Sequence, residues 1–128
     1  MAIEFSVWDE QVDGVTHVVG VRGEIDLFTA PEFKARIHAA IEAGRDLVVV
    51  DLSATTFIDS SSLGVLISAH RRMTLQGGRL VIACDVPSVL STFKITGLDG
   101  VLEMARTREE ALAQGADAAA PRVQPRAA

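Results

Sequence analysis

Six residues near the middle of the chain, Leu47-Val48-Val49-Val50-Asp51-Leu52, leave the fold few options. The run is too short for a helix, which takes roughly ten or more residues. It is also too uniformly apolar for a strand with one wet face, where apolar and polar side chains would alternate. What remains is a central strand covered on both faces, the kind found in parallel sheets flanked by helices. Downstream, Leu63, Leu66, Ile67, His70 and Met73 recur at the three-and-four spacing of one buried helix face, which predicts a helix from Ser61 to about Gln76. Strand and helix are joined by a polar corner, Asp59-Ser60-Ser61-Ser62, with one carboxylate and three consecutive hydroxyls.

The flanking segments extend the pattern. Ile3 to Trp8 alternates loosely and predicts a short edge strand, Gln11 to Gly14 a turn with a favourable Asp-Gly pair, and Val15 to Arg22 a second strand in a hairpin with the first. Gly23-Glu24-Ile25-Asp26 is expected to end that strand and carry two carboxylates into a loop. Thr29-Ala30-Pro31-Glu32 has the spacing of a capping box with proline in the first turn. Phe33, Ile37, Ala40 and Ile41 then share one helix face, and Gly44 stands where helices end. After Gln76-Gly77-Gly78, Arg79 to Cys84 predicts another buried strand. Pro87 to Thr96 predicts a short helix with Val89, Leu90 and Phe93 inward, ended by Gly97, and Val101 to Met104 a last short strand. Thr107-Arg108-Glu109-Glu110 repeats the capping box and opens a terminal helix through about Gln114. From Gly115 the chain turns to alanine, proline and arginine without an apolar period, so residues 115–128 are expected to be a disordered tail on a domain of residues 1–114. The fold class that follows is α/β: a single domain whose mixed sheet has a parallel centre, flanked by about four helices.

Composition excludes several functions. At 128 residues the chain is one domain by length, with room for a core. A net charge of −5 and no basic patch argue against direct nucleic-acid binding. No apolar run approaches the ~20 residues of a membrane span, and the first residues do not resemble a secretion signal, so the expected compartment is the cytoplasm. A lone cysteine, Cys84, excludes an internal disulfide and reads as a small buried hydrophobe. His17, His38 and His70 lie on three different elements without metal-ligand spacing, so no metal and no cofactor is expected. The nucleophile elbow, the phosphate-binding loop and the zinc-protease helix motif are all absent, and the corner has no neighbouring histidine or lysine to activate a serine. Nothing here looks like a catalyst.

Two readings of Asp59-Ser60-Ser61-Ser62 compete. Aspartate and serine are preferred helix caps, worth about 1 kcal/mol, and capping alone would explain one of them. Three hydroxyls exceed that need, and the end of a central strand is where open α/β sheets place their sites. A phosphate on such a serine would face the positive end of the helix and unfold nothing. Glu24 and Asp26 are by themselves solvated carboxylates. If their strand lies beside the Leu47–Leu52 strand, Asp26 comes near the corner and could bond a free hydroxyl or a partner's cation.

Phe57-Ile58-Asp59-Ser60-Ser61-Ser62-Leu63-Gly64 closely resembles the Phe-x-Asp-Ser-Ser-Gly-Leu-Gly signature of the STAS domain, as found in bacterial anti-sigma factor antagonists. Gly23-Glu24-Ile25-Asp26 is similar to that family's Gly-Glu-Leu/Ile-Asp motif, Asp51-Leu52-Ser53 to its central-strand ending, and Pro87 to Phe93 with Thr96-Gly97-Leu98 to its third helix. The likeness runs from about residue 3 to 114. It implies a STAS-like fold and a protein whose unmodified form binds an anti-sigma factor that is also a serine kinase, releasing the sigma factor. The kinase would phosphorylate the first serine after the aspartate, Ser60, with Ser61 the fallback, and a PP2C-type phosphatase would reverse it. Ser62 replaces the signature glycine. The expected partner-facing residues are Asp26, Asp59, Ser61, Ser62, Val65, Ala69 and Arg72. Val65 and Ala69 are apolar but off the main stripe, which suits either a contact surface or packing on a neighbouring helix. The alternative is a STAS-like binding or scaffold module outside sigma control, a lipid-transport accessory or a signalling-assembly component, in which the serines only cap or dock.

Overall fold

Val48, Val49 and Val50 have no solvent exposure because they lie in the middle strand of a sheet covered on both faces. The computed structural model describes residues 4–116. Strands β1 (Ser6–Gln11), β2 (Thr16–Ile25), β3 (Leu47–Ile58), β4 (Arg79–Ala83) and β5 (Glu103–Ala105) lie side by side in chain order. β1 is antiparallel to β2, and every later pair is parallel. Helices α1 (Ala30–Glu42), α2 (Ser60–Leu75), α3 (Pro87–Thr96) and α4 (Arg108–Ala116) supply the crossovers and the C-terminal cover.

Alternation along the strands sends side chains to two separate cores. Val48, Val50 and Leu52 of β3 point into the larger one, with Phe33, Ile37 and Ile41 of α1, Leu63, Leu66 and Met73 of α2, and Val89 and Phe93 of α3. Val49 and Leu47 point the other way, to a smaller cluster with Val18, Val81, Ala83 and Ala111 under α4. The expected inward residues of α1 are all buried, and α1 ends at Glu42, capped by Ala43, because Gly44 takes φ +74°, open to glycine at no cost. α4 is fastened by a buried ion pair. Arg79 grips Glu103 with two guanidinium nitrogens, its Nη1 reaches the Gln114 carbonyl at 3.2 Å, and Arg108 meets Glu10 of β1 at 2.7 Å.

Several expected boundaries move. β1 starts at Ser6 and continues to Gln11; Ile3 lies outside the described residues. β2 runs on through Gly23, Glu24 and Ile25, so Glu24 sits in a strand and not in a loop. β3 does not end at Leu52 but extends to Ile58. Its second half lacks the apolar run because α4 leaves that part of the face open. Pairing with β2 carries it instead, through register shifts at Gly20/Arg22 and Gly23/Glu24, and the Thr55 hydroxyl donates to the Val21 carbonyl at 3.1 Å. α4 reaches Ala116, two residues into the expected tail; the remainder, 117–128, lies outside the described residues. Thr29 caps α1 by position only. Its hydroxyl accepts from the Asp26 N–H at 2.8 Å, so no capping box forms there. Thr107 does cap, accepting from the Glu110 N–H at 3.1 Å, while the Glu110 carboxylate takes the Arg106 N–H, one residue earlier than a standard box.

Candidate partner-binding and modification site

Parallel pairing of β2 with β3 decides which loops meet. Ile25 lies opposite Ile58, so the chain leaves β2 through Asp26 beside the place where β3 leaves through Asp59. The Asp59 N–H donates to the Ile25 carbonyl at 3.2 Å, tying the two exits together at the end of the sheet where parallel strands finish.

Asp59 is the N-cap of α2, with extended backbone, and Ser60 is the first helical residue. One carboxylate oxygen, Oδ1, accepts from the Ser62 N–H at 3.1 Å, the Ser61 hydroxyl at 2.6 Å and the Ser62 hydroxyl at 3.0 Å. Partial burial pushes the Asp59 carboxyl up, but the bonds from Ser61 and Ser62 outweigh it and hold the pKa below the ordinary aspartate value. The three hydroxyls are therefore not equivalent. Ser62 is fully buried, with its Oγ also 3.2 Å from the Ile25 carbonyl, a bond the signature glycine could not make. Ser61 is half-buried and held by Asp59. Ser60 is exposed, and its hydroxyl forms no hydrogen bond among the described residues.

Asp26 is near the corner but turned to its own loop. Its Oδ1 accepts from the Phe28 N–H at 2.9 Å and the Thr29 N–H at 3.1 Å, a compact aspartate turn. It therefore shapes the loop and does not bond the Ser60 hydroxyl. Of the other expected contact residues, Ala69 is fully buried in the main core, beside α1, and cannot face a partner. Ser62 and Ala69 join Leu66 and Met73 on the buried side of α2, which is wider than the expected stripe, while Ile67, expected within it, is only half-buried. Val65 is half-buried against the core, and Arg72 is partly exposed. His70 is buried in the stripe, and Cys84 is buried with burial pushing its thiol up.

Sequence reasoning missed the apolar residues around this corner. Leu27 and Phe28 are 70% and 89% exposed, and Phe57, opposite Glu24, is 49% exposed. The signal was available. Leu27-Phe28 falls between a turn and a helix start, where neither residue has a core position to fill. Single exposed apolar residues are ordinary, whereas several together, rimmed by polar groups, mark an interaction surface.

A central β3–α2 corner in a five-stranded sheet of this topology defines a class, and the chain belongs to the STAS domain family, whose model matches residues 8–111. The anti-sigma-B factor antagonist of Bacillus subtilis is 30% identical over 91 residues, which span 71% of this chain and 83% of that protein. An anti-sigma factor antagonist from Mycobacterium paratuberculosis superposes with a TM-score of 0.82 at 30% identity, over 89% of this chain and 96% of the other. The Bacillus antagonist SpoIIAA in its phosphorylated form matches at a TM-score of 0.65 and 27% identity, over 86% and 97% of the two chains. Its unphosphorylated form matches at 0.70 and 27%, over 85% and 93%. No helix among the described residues is long and apolar enough to cross a membrane.

Proposed function

We propose that this STAS protein is an anti-sigma factor antagonist. Unphosphorylated, it binds an anti-sigma factor that is also a serine kinase and so frees the sigma factor; phosphorylation of Ser60 ends the interaction, and a PP2C-type phosphatase restores it. The observation that carries this reading is the inequality of the three serines. Only Ser60 combines exposure with an unengaged hydroxyl, and Asp59 holds the helix start rigid behind it. The relatives with this fold include an antagonist known in both phosphorylated and unphosphorylated forms. Ser61 is the fallback acceptor, at the cost of its bond to Asp59.

Partner contacts fall on Ser60, Asp59, Ser61 and Arg72, on Val65 in part, and on Leu27, Phe28 and Phe57. Asp26 contributes by fixing the loop that presents Leu27 and Phe28. The protein acts by binding, not catalysis, and works in the cytoplasm with the transcription machinery its partner controls. A phosphate adds ~1.5–2 negative charges. At ~6 Å from a partner's negative group, with an effective dielectric of ~20, each unit costs roughly 3 kcal/mol. Since ~1.4 kcal/mol is tenfold in affinity, the complex weakens a hundredfold or more without any backbone movement.

Incubation with the cognate kinase and ATP, followed by intact mass and fragment mapping, is expected to add one phosphate at Ser60 and none to Ser60→Ala. Calorimetric titration of the kinase should show affinity reduced at least tenfold for Ser60→Asp. No phosphate on the wild-type chain, or undiminished binding by Ser60→Asp together with the phosphorylated protein, removes the switch.

A further inference from the structure

α4 covers only the first half of its sheet face, and the open half carries a built groove. Trp8 of β1 stands opposite Gly20 of β2, and its indole lies against that glycine: a Cβ at position 20 would fall 2.3 Å from two ring carbons. Glycine alone lets the ring rest on the strand. The ring is thus positioned by the backbone beneath it, yet Trp8 remains 39% exposed. Arg22, opposite Ser6 on the same face, is exposed and forms no ion pair among the described residues. Ser53 to Thr56 of β3 and Val86 complete the lining of a groove of about 610 Å³, in which Arg22 is the one charged side chain. The two β2–β3 register shifts lie along its floor. Such shifts bend strands and re-aim side chains, and they are frequent beside binding sites.

We propose that this groove binds a small flat aromatic molecule with a single negative charge, of the aromatic carboxylate class, its ring on Trp8 and its carboxylate on Arg22. Three features select that occupant. The indole offers an exposed π-face, on which a second ring stacks in an offset arrangement. The guanidinium matches a carboxylate through two parallel N–H···O bonds. One cation, with no carboxylate in the lining, balances one charge; a polyphosphate would call for more. The volume suits a one- or two-ring acid, and the Ser6, Ser53 and Thr56 hydroxyls give polar substituents a partner. Ser60 does not line the groove, so this site stands or falls apart from the phosphorylation switch.

Trp8 is the only tryptophan in the chain, so its indole N–H is a single reporter. In an isotope-labelled sample of the full chain, titration with naphthoate is expected to shift that signal to saturation. Naphthylmethanol, which has the ring without the charge, and cyclohexanecarboxylate, which has the charge without the ring, should each bind roughly tenfold more weakly or worse, as should naphthoate to Arg22→Gln. Arg22 is exposed, and unchanged backbone signals outside the groove will verify that the variant is folded. An indole signal unmoved by millimolar naphthoate overturns the proposal. So does a curve unaltered by Arg22→Gln, or equal binding of the neutral alcohol.

Discussion

Ser60, Ser61 and Ser62 are chemically identical and differ only in where a helix turn of about 100° per residue sends each side chain. Position 60 points to solvent, 61 leans on the Asp59 carboxylate, and 62 points under the helix to the Ile25 carbonyl. The serine at the signature-glycine position is buried, and its one hydroxyl hydrogen is shared between Asp59 Oδ1 and the Ile25 carbonyl, which ties α2 to β2. Ser62→Ala is expected to lower stability by about 1 kcal/mol, the usual net worth of one internal hydrogen bond, measured by urea unfolding. The same variant should still take one phosphate at Ser60. Ile25's carbonyl keeps the Asp59 N–H, so no buried acceptor is left without a partner. A loss of phosphorylation with the fold intact would show that Ser62, and not Ser60, is the residue the kinase reads.

At the scale of elements, α4 is the piece whose attachment depends least on apolar area. It buries Ala111 and part of Leu112, and the Arg79–Glu103 pair with its reach to Gln114 adds to the hold, as does Arg108 on Glu10. Removing one partner of a buried pair leaves the other charge uncompensated, which costs about 3–5 kcal/mol. Glu103→Ala should therefore destabilise the domain by that amount in denaturant unfolding. In native-state hydrogen exchange, amides of α4 and β5 should open well before those of β3 and α2. An exchange pattern unchanged across α4 would mean that its apolar contacts suffice. The second half of β3 shows the same point from the other direction. Ser53 to Thr56 has no strand signature of its own, and pairing with β2 across two register shifts makes it a strand.

At the scale of the whole molecule, one titrating group lies inside the core. His70 is 4% exposed, and neither ring nitrogen has a hydrogen-bond partner among the described residues. Burial lowers its pKa, with the charge of Glu103 opposing in part, and burial also lowers that of His38, helped by Arg72 and Lys34. The folded-state values thus lie below the unfolded one, and the unfolded chain binds more protons as the pH falls. The stability that these two histidines contribute is complete above about pH 6.5 and is lost as the pH drops from there toward their folded-state values. His70→Leu removes an unpartnered polar group from the core, so it should leave stability at neutral pH equal or raised and flatten the decline below pH 6.5. Unfolding midpoints at a series of pH values measure both effects. An unchanged slope would assign the acid sensitivity to His38 and the carboxylates, Asp59 among them, whose depressed pKa contributes only at lower pH.

Local chemistry determined the order of elements, the central position of Leu47–Leu52, the inward face of α1, the stop at Gly44 and the capped start of α2, because each depends on side-chain period or backbone preference within a few residues of itself. The position of Asp26 followed from one assumption about strand order, and the parallel register of β2 on β3 supplied it. Only the tertiary structure decided that Ala69 is core, that Thr29 serves its own turn, that β3 runs to Ile58, and which of three neighbouring serines meets water. Those outcomes depend on which surfaces the helices cover: α1, α2 and α3 close one face of the sheet and α4 covers part of the other, an arrangement that no single segment encodes.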